Sequence, residues 1–311
     1  MVDVSIIVLC YKQKSTISRT LDYILSQKTT YTYEVIIGDD DSPDETREIC
    51  EAYVLKFPNL LKINEHHVNY GVVKNYADCF FKAQGRYIMV CAGDDWWHNL
   101  NKIQLQIDYM EAHPNCSLCY SSYLEYYPSS DIRIINNGIK SDNPTKSLLC
   151  SNYLSAPSVC YRKKYISHEL IASFVNRKYR VEDYPLWLNL SLKGDFYCID
   201  EPLVSYTIQS GSIFHCKTFE ERMSILNSTY KIRKDFVEDN NLDNQYGKLI
   251  SDSYFVLATQ AAIIYGERKK AIAFLNNVTN LNLKWRIKKC LICIPFTFNL
   301  LHKNYSQRIY E

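Results

Sequence analysis

The sequence predicts an α/β protein: a doubly wound, mostly parallel sheet followed by a helical C-terminal region. Three observations carry that reading. Short apolar runs at Val4–Cys10, 33–37, 60–65 and 86–91 alternate with stretches of helical periodicity, and the order βαβαβαβ requires parallel strands joined by right-handed crossovers. The first run, Val-Ser-Ile-Ile-Val-Leu-Cys, is almost continuously apolar, as a strand buried on both faces must be. From about Phe219 onward helical periodicity dominates, which sets a boundary near Cys216.

Each element follows from its residues. Ile17, Leu21, Ile24 and Leu25 make one stripe of a first helix, with Ser15 as its N-cap. Ser42 as cap, Pro43 at the first helical position and Asp44 and Glu45 in the first turn start a second. That helix buries Ile49, Tyr53 and Phe57 and stops at Pro58. A loop at 66–71 leads to a third helix carrying Val73, Ala77, Phe80 and Phe81, closed by Gly85. Ile103, Ile107 and Met110 mark a fourth, ending at Pro114, and Cys116–Tyr127 is a Tyr-rich strand. Residues 128–147 are polar and turn-rich, expected as a mobile excursion over the site. A strand at 158–161, a helix at 180–194, two short strands at 196–199 and 203–207 and a loop at 210–215 complete this part.

Composition narrows the class. With 311 residues, 47% of them hydrophobic, the chain has ample material for a full core, and a net charge of +2 makes no case for nucleic acid as partner. Twelve cysteines fall far short of a disulfide scaffold, and no signal peptide precedes the first strand, so a cytoplasmic protein with reduced thiols is expected. Cys116 with Cys119 and Cys290 with Cys293 have zinc-like spacing but lie too far apart for a compact module. No uninterrupted apolar run is long enough to span a bilayer.

The chemistry sits at strand ends. Carboxylates at the carboxyl end of a strand face the ligand crevice of an open α/β sheet. The fourth strand stops at Gly93 with Asp94 and Asp95, whose mutual repulsion a cation would relieve, and hard oxygen donors favour Mg²⁺ or Mn²⁺. The plainer alternative makes Asp94 a helix cap and Asp95 a solvated side chain. The first strand lacks a glycine-rich dinucleotide fingerprint and ends instead in Tyr11, an aromatic able to stack on a base. In a chain of 26 tyrosines, Tyr11 taken by itself reads first as a surface residue. The second strand ends near Asp40, a possible acceptor for a base N–H. Phosphoryl transfer of the receiver or haloacid-dehalogenase kind needs acids after the first strand, where this chain has Cys10 and Tyr11.

Val4 to Tyr11, the Gly-Asp-Asp-Asp-Ser-Pro-Asp-Glu-Thr segment beginning at Gly38, Asn69 to Asn75, and Gly85-Arg-Tyr-Ile followed by Gly-Asp-Asp-Trp-Trp together resemble the bacterial family 2 inverting glycosyltransferases. The match is ordered and spans residues 2 to about 215. It implies the GT-A fold, with a nucleotide-sugar half over 1–97, an acceptor half over 98–216 and a helical region over 217–311 outside the resemblance. It implies that Tyr11 and Asp40 hold the base of a nucleotide-sugar donor, UDP above all, with Lys74 beside the base or phosphates and His215 reaching the diphosphate. Asp94 takes the place of the last acid of the family's Asp-x-Asp motif, the ligand of Mn²⁺ or Mg²⁺, with Asp95 beside it. Asp183 matches the catalytic base, and the acceptor is expected to be a glycan or a lipid-linked sugar in cell-surface polysaccharide synthesis. One position departs: Ala92 stands where many members carry an acid, which weakens the expectation for metal and ribose and leaves a nucleotide-sugar-binding protein of little or no activity as the alternative.

In the tail, Lys284, Arg286, Lys288 and Lys289 flank an aromatic and apolar run from Cys290 to Leu301, the pattern of a peripheral membrane anchor. Packing of that segment as an ordinary helix is the competing expectation, since Pro295 interrupts it.

Overall fold

The computed structural model of the protein describes residues 2–208, 216 and 218–310. Contacts divide the chain into two compact units, Met1–Thr145 with Tyr153–Gln209, and Lys146–Asn152 with Ser210–Glu311.

The first unit is organised by one eight-stranded sheet. Strands β1 (Val4–Cys10), β2 (Tyr33–Asp39), β3 (Leu61–Glu65) and β4 (Tyr87–Ala92) are parallel, and the helices between them are α1 (Ile17–Leu25), α2 (Thr46–Lys56) and α3 (Val72–Lys82). Every residue of β1 is buried, as its unbroken apolar run requires. The chain steps from β1 outward to β2 and β3, then returns to place β4 on the other side of β1. That reversal opens a crevice at the carboxyl ends of β1 and β4, the place where open α/β sheets bind ligands.

After α4 (Lys102–Ala112) the sheet becomes mixed. β5 (Cys116–Tyr127), β6 (Ile132–Asn136), β7 (Cys160–Arg162) and β8 (Asp195–Thr207) complete the order β3-β2-β1-β4-β7-β5-β6, with β8 parallel to β5. Helix α5 (Pro144–Cys150) begins in this unit and belongs mostly to the second, and α6 (His168–Asn176) and α7 (Asp183–Leu190) are the helices of this part.

Several local expectations are corrected. Ser15 does not cap α1: Thr16 holds that position, without a side-chain cap bond. Helix α2 starts at Thr46 rather than after Ser42, because the Ser42 hydroxyl accepts from the Lys12 amide at 3.1 Å and its own amide donates to Asp39 at 3.2 Å. Asp44 instead accepts from the Thr46 amide at 3.2 Å. The stretch 128–147 is not only turns; it contains β6 and the start of α5. The two short strands expected at 196–199 and 203–207 are one, interrupted where Asp200 and Glu201 are extra between the pairs Ser121–Ile199 and Ser122–Pro202. A proline inside a strand is accommodated at such a bulge.

One buried cation stands out. Lys102 is fully buried at the start of α4, with its ammonium 2.6 Å from Gln106 Oε1 and 4.2 Å from the Trp97 ring centre. Burial drives its pKa down to about 8. A lysine whose folded pKa lies below its unfolded value carries its full penalty at pH 7 and is relieved as pH rises through the folded pKa. The parent is therefore expected to gain stability over Lys102→Met by roughly 1 kcal/mol per pH unit between about pH 8 and 10, measured by urea denaturation.

The second unit is helical: α8 (Phe219–Asp239), α9 (Asp243–Ile264), α10 (Arg268–Asn276), α11 (Leu283–Cys293) and α12 (Pro295–Tyr310). A reciprocal capping box of Thr218 and Glu221 starts α8. Phe219, Leu226, Ile263, Leu275, Trp285 and Ile292 contribute to its core.

Candidate active site

The crevice between β1 and β4 is built by a turn pinned from two sides. Beyond β4, a Cβ at Gly93 would displace the end of the Gln13 side chain and press on Cys10 Cβ and Ile17 Cδ1, each at 3.0 Å. From α1, Arg19 Nη2 donates to the Asp94 carbonyl at 2.8 Å and Thr20 Oγ1 to the Asp95 carbonyl at 2.6 Å. From β8, the Thr207 amide donates to Asp95 Oδ1 at 2.8 Å and the Thr207 hydroxyl to the Asp94 carbonyl. The Arg19 guanidinium lies 3.7 Å from the centre of the Trp96 ring.

This pinning separates the two carboxylates. Asp94 is partly exposed, and burial raises its pKa while Arg19 and a hydrogen bond from Gln13 oppose the rise. Asp95 is 1% exposed, and burial, followed by the charge of Asp94, pushes its pKa well above the ordinary carboxylate range. Its Oδ2 is buried without a hydrogen-bond partner. Asp95, expected as a metal ligand, is therefore used for holding β8 to the end of β4.

Asp40 also differs from expectation. It is 4% exposed; Oδ1 accepts from the Tyr70 amide at 2.9 Å and faces His66 Nδ1 at 3.2 Å, and Oδ2 accepts from the Gly71 amide at 2.8 Å. Gly71 has φ +87°, a left-handed conformation that favours glycine, and α3 begins immediately after it. The base-edge contact expected of Asp40 thus competes with bonds that already fix the loop 66–71. Asp40→Ala is expected to cost about 2–4 kcal/mol in chemical denaturation and to accelerate amide exchange at Tyr70 and Gly71. Unchanged exchange there would show that the carboxylate does not hold the loop.

Tyr11 leaves β1 with 41% of its surface exposed at the mouth of the crevice. Lys74, on α3, is paired with Asp78, which also faces His66 Nε2 at 3.1 Å. His215 lies outside the described residues.

Asp183 is the first residue of α7 and is partly exposed; its Oδ1 accepts from the Tyr184 amide at 2.6 Å. Beside it, burial and then the Asp183 charge raise the Glu182 pKa to about 8. On β8, burial first and then the charges of Asp95, Asp94 and Asp183 raise the pKa of the Tyr206 hydroxyl. Sequence reasoning missed Tyr206, Thr207, Arg19 and Gln13. Arg19 is a single basic residue on an amphipathic helix, and nothing in its neighbours marks it.

The donor set suits a hard divalent cation. Asp94 is partly exposed, and such ions are commonly held by one or two carboxylates with substrate phosphates completing the shell. Among the described residues no group of three His, Cys, Asp or Glu side chains is arranged to hold a metal without substrate.

The family model "Glycosyl transferase family 2" matches residues 5–171, more than half of the chain. The chain belongs to glycosyl transferase family 2. It is 31% identical to the Escherichia coli UDP-Glc:alpha-D-GlcNAc-diphosphoundecaprenol beta-1,3-glucosyltransferase WfaP, over 61% of this chain and 71% of that one. It is 27% identical to the Mycobacterium tuberculosis (strain ATCC 25618 / H37Rv) protein Rv1520 over 70% of this chain, and spans 62% of that relative's length. The mannosyltransferase PcManGT of Pyrobaculum calidifontis, solved with GDP-Man and Mn²⁺, superimposes with a TM-score of 0.54 at 14% identity, covering 96% of this chain and 86% of that one. The fold is GT-A, a mixed α/β sheet whose first half is parallel.

Proposed function

We propose that the protein is an inverting glycosyltransferase that moves a sugar from a UDP-sugar to a hydroxyl of a glycan or lipid-linked acceptor. The observation that carries this reading is the family-model match over residues 5–171, within which Asp94 stands partly exposed in the turn at the carboxyl end of β4. UDP as the nucleotude carrier is supported by the UDP-Glc in the name of WfaP, the nearer of the two named transferases in sequence.

In this reading Tyr11 stacks on the base, while Asp40 shapes the neighbouring loop through Tyr70 and Gly71. Lys74 is assigned a place beside the base or phosphates, and His215 the diphosphate. Asp94 would hold Mn²⁺ or Mg²⁺, and the bound ion would supply Lewis-acid stabilisation to the diphosphate as it leaves. The acceptor oxygen attacks the anomeric carbon, the bond to the diphosphate breaks, and the acceptor proton passes to the Asp183 carboxylate. Attack opposite the leaving group inverts the anomeric centre. Glu182, whose pKa burial and the Asp183 charge raise to about 8, is the competing base one residue away.

Calorimetric titration with UDP and Mn²⁺ tests the donor side. Tyr11→Ala is expected to weaken UDP by roughly 5- to 150-fold, the worth of one stacked base, without removing the metal dependence. UDP affinity unaffected by Tyr11→Ala would refute the base assignment. Ala92 favours a second reading, a nucleotide-sugar-binding protein with weak or no catalysis. It predicts the same UDP affinity and no sugar transfer to any acceptor.

A further inference from the structure

Helix α11 carries two apolar seams, and one of them is exposed. Trp285 and Ile292, seven residues apart, enter the core of the helical unit. About half a turn away around the helix, Leu283, Ile287 and Cys290 recur at spacings of four and three and lie exposed, Leu283 at 73%, and Ile294, exposed at the C-cap, follows them. Phe296 and Leu300, one turn apart on α12, add two more exposed apolar side chains. An ordinary surface helix places polar residues opposite its core face, and grouped exposed apolar side chains mark a docking surface.

Charge identifies the occupant. Residues 268–310 contain nine Lys and Arg and no Asp or Glu, which leaves 27 basic against 34 acidic residues in the rest of the chain. Lys284 and Arg286 are exposed and flank the apolar seam on its two sides. A second copy docking through the same face would bring like charge against like, whereas anionic lipid headgroups are complementary.

We propose that this face of α11 and the adjoining part of α12 dock on an anionic phospholipid bilayer, with α11 lying in the plane of the interface. The apolar seam enters the acyl boundary while the basic side chains on its flanks reach the phosphates. No described helix is long and apolar enough to cross a membrane, so the contact lies along the surface. The inference is independent of the transferase reading.

Co-sedimentation of the full chain with extruded vesicles tests it, comparing phosphatidylcholine alone with an equal mixture of phosphatidylcholine and phosphatidylglycerol, at low and high salt. Binding is expected only to the mixed vesicles and should fall with salt. Lys284→Glu with Arg286→Glu and Lys289→Glu should weaken it on the order of a hundredfold, and Ile287→Ser with Phe296→Ser should abolish it at parent-like melting temperature. Leu55→Ser, at a leucine exposed at 83% on α2, should bind as the parent does. Salt-independent binding, equal binding to both vesicle types, or parent-like binding by the seam variant would overturn the proposal. So would a parent dimer that binds no vesicles and that Ile287→Ser with Phe296→Ser dissociates, since the face would then serve a second copy.

Discussion

Asp183→Asn is expected to lower sugar transfer by on the order of 10²–10⁴-fold while nucleotide binding and most of the melting temperature survive. The side chain at the head of α7 has two roles to lose. Its Oδ1 accepts from the Tyr184 amide, a local bond whose loss costs about 1 kcal/mol and which an asparagine oxygen can still accept. The other role is proton acceptance, which an amide cannot supply. Glu182→Gln is the contrasting variant. With Asp183 as the base, the amide replacement of Glu182 should turn over near the parent rate. The reverse pattern in a transfer assay, a near-parent Asp183→Asn and a collapsed Glu182→Gln, would make Glu182 the base.

Asp94→Asn is expected to remove the metal-dependent part of UDP binding, at least on the order of a hundredfold in calorimetry with Mn²⁺, and to leave the fold intact. The turn after β4 is held through the Asp94 backbone carbonyl, which accepts from Arg19 and Thr207, so replacing its carboxylate leaves those bonds in place. Asp95→Ala should behave in the opposite way. It strips the Thr207 amide of its acceptor and should cost about 1–3 kcal/mol of stability with less effect on metal dependence. Full UDP affinity with unaltered metal dependence in Asp94→Asn would refute the assignment.

These two carboxylates illustrate what a sequence makes legible. The parallel half of the sheet was readable because β1 is buried throughout, and such burial demands an unbroken apolar run. The acidic clusters at the ends of β2 and β4 were visible as residue types at strand ends. Their division of labour was not, because it depends on partners far along the chain. Asp95 meets Thr207 across 112 positions, and Asp40 meets Tyr70 and Gly71 across a loop whose backbone amides leave no mark in residue identity. Strand β6 was missed because its five residues, β-branched at Ile132, Ile134 and Ile135, form a short, largely exposed edge set among polar turn residues. The start of α2 was misplaced because Ser42, a good cap by type, was already engaged by Lys12 from the neighbouring strand end.

The most direct test of the account is the anomeric configuration of a transferred sugar. With an α-linked UDP-sugar, Mn²⁺ and a panel of glycan and lipid-diphosphate-linked acceptors, proton NMR of the first-formed product should show a β linkage that Asp183→Asn forms only at a small fraction of the parent rate. A product that retains the α configuration would contradict in-line attack assisted by Asp183.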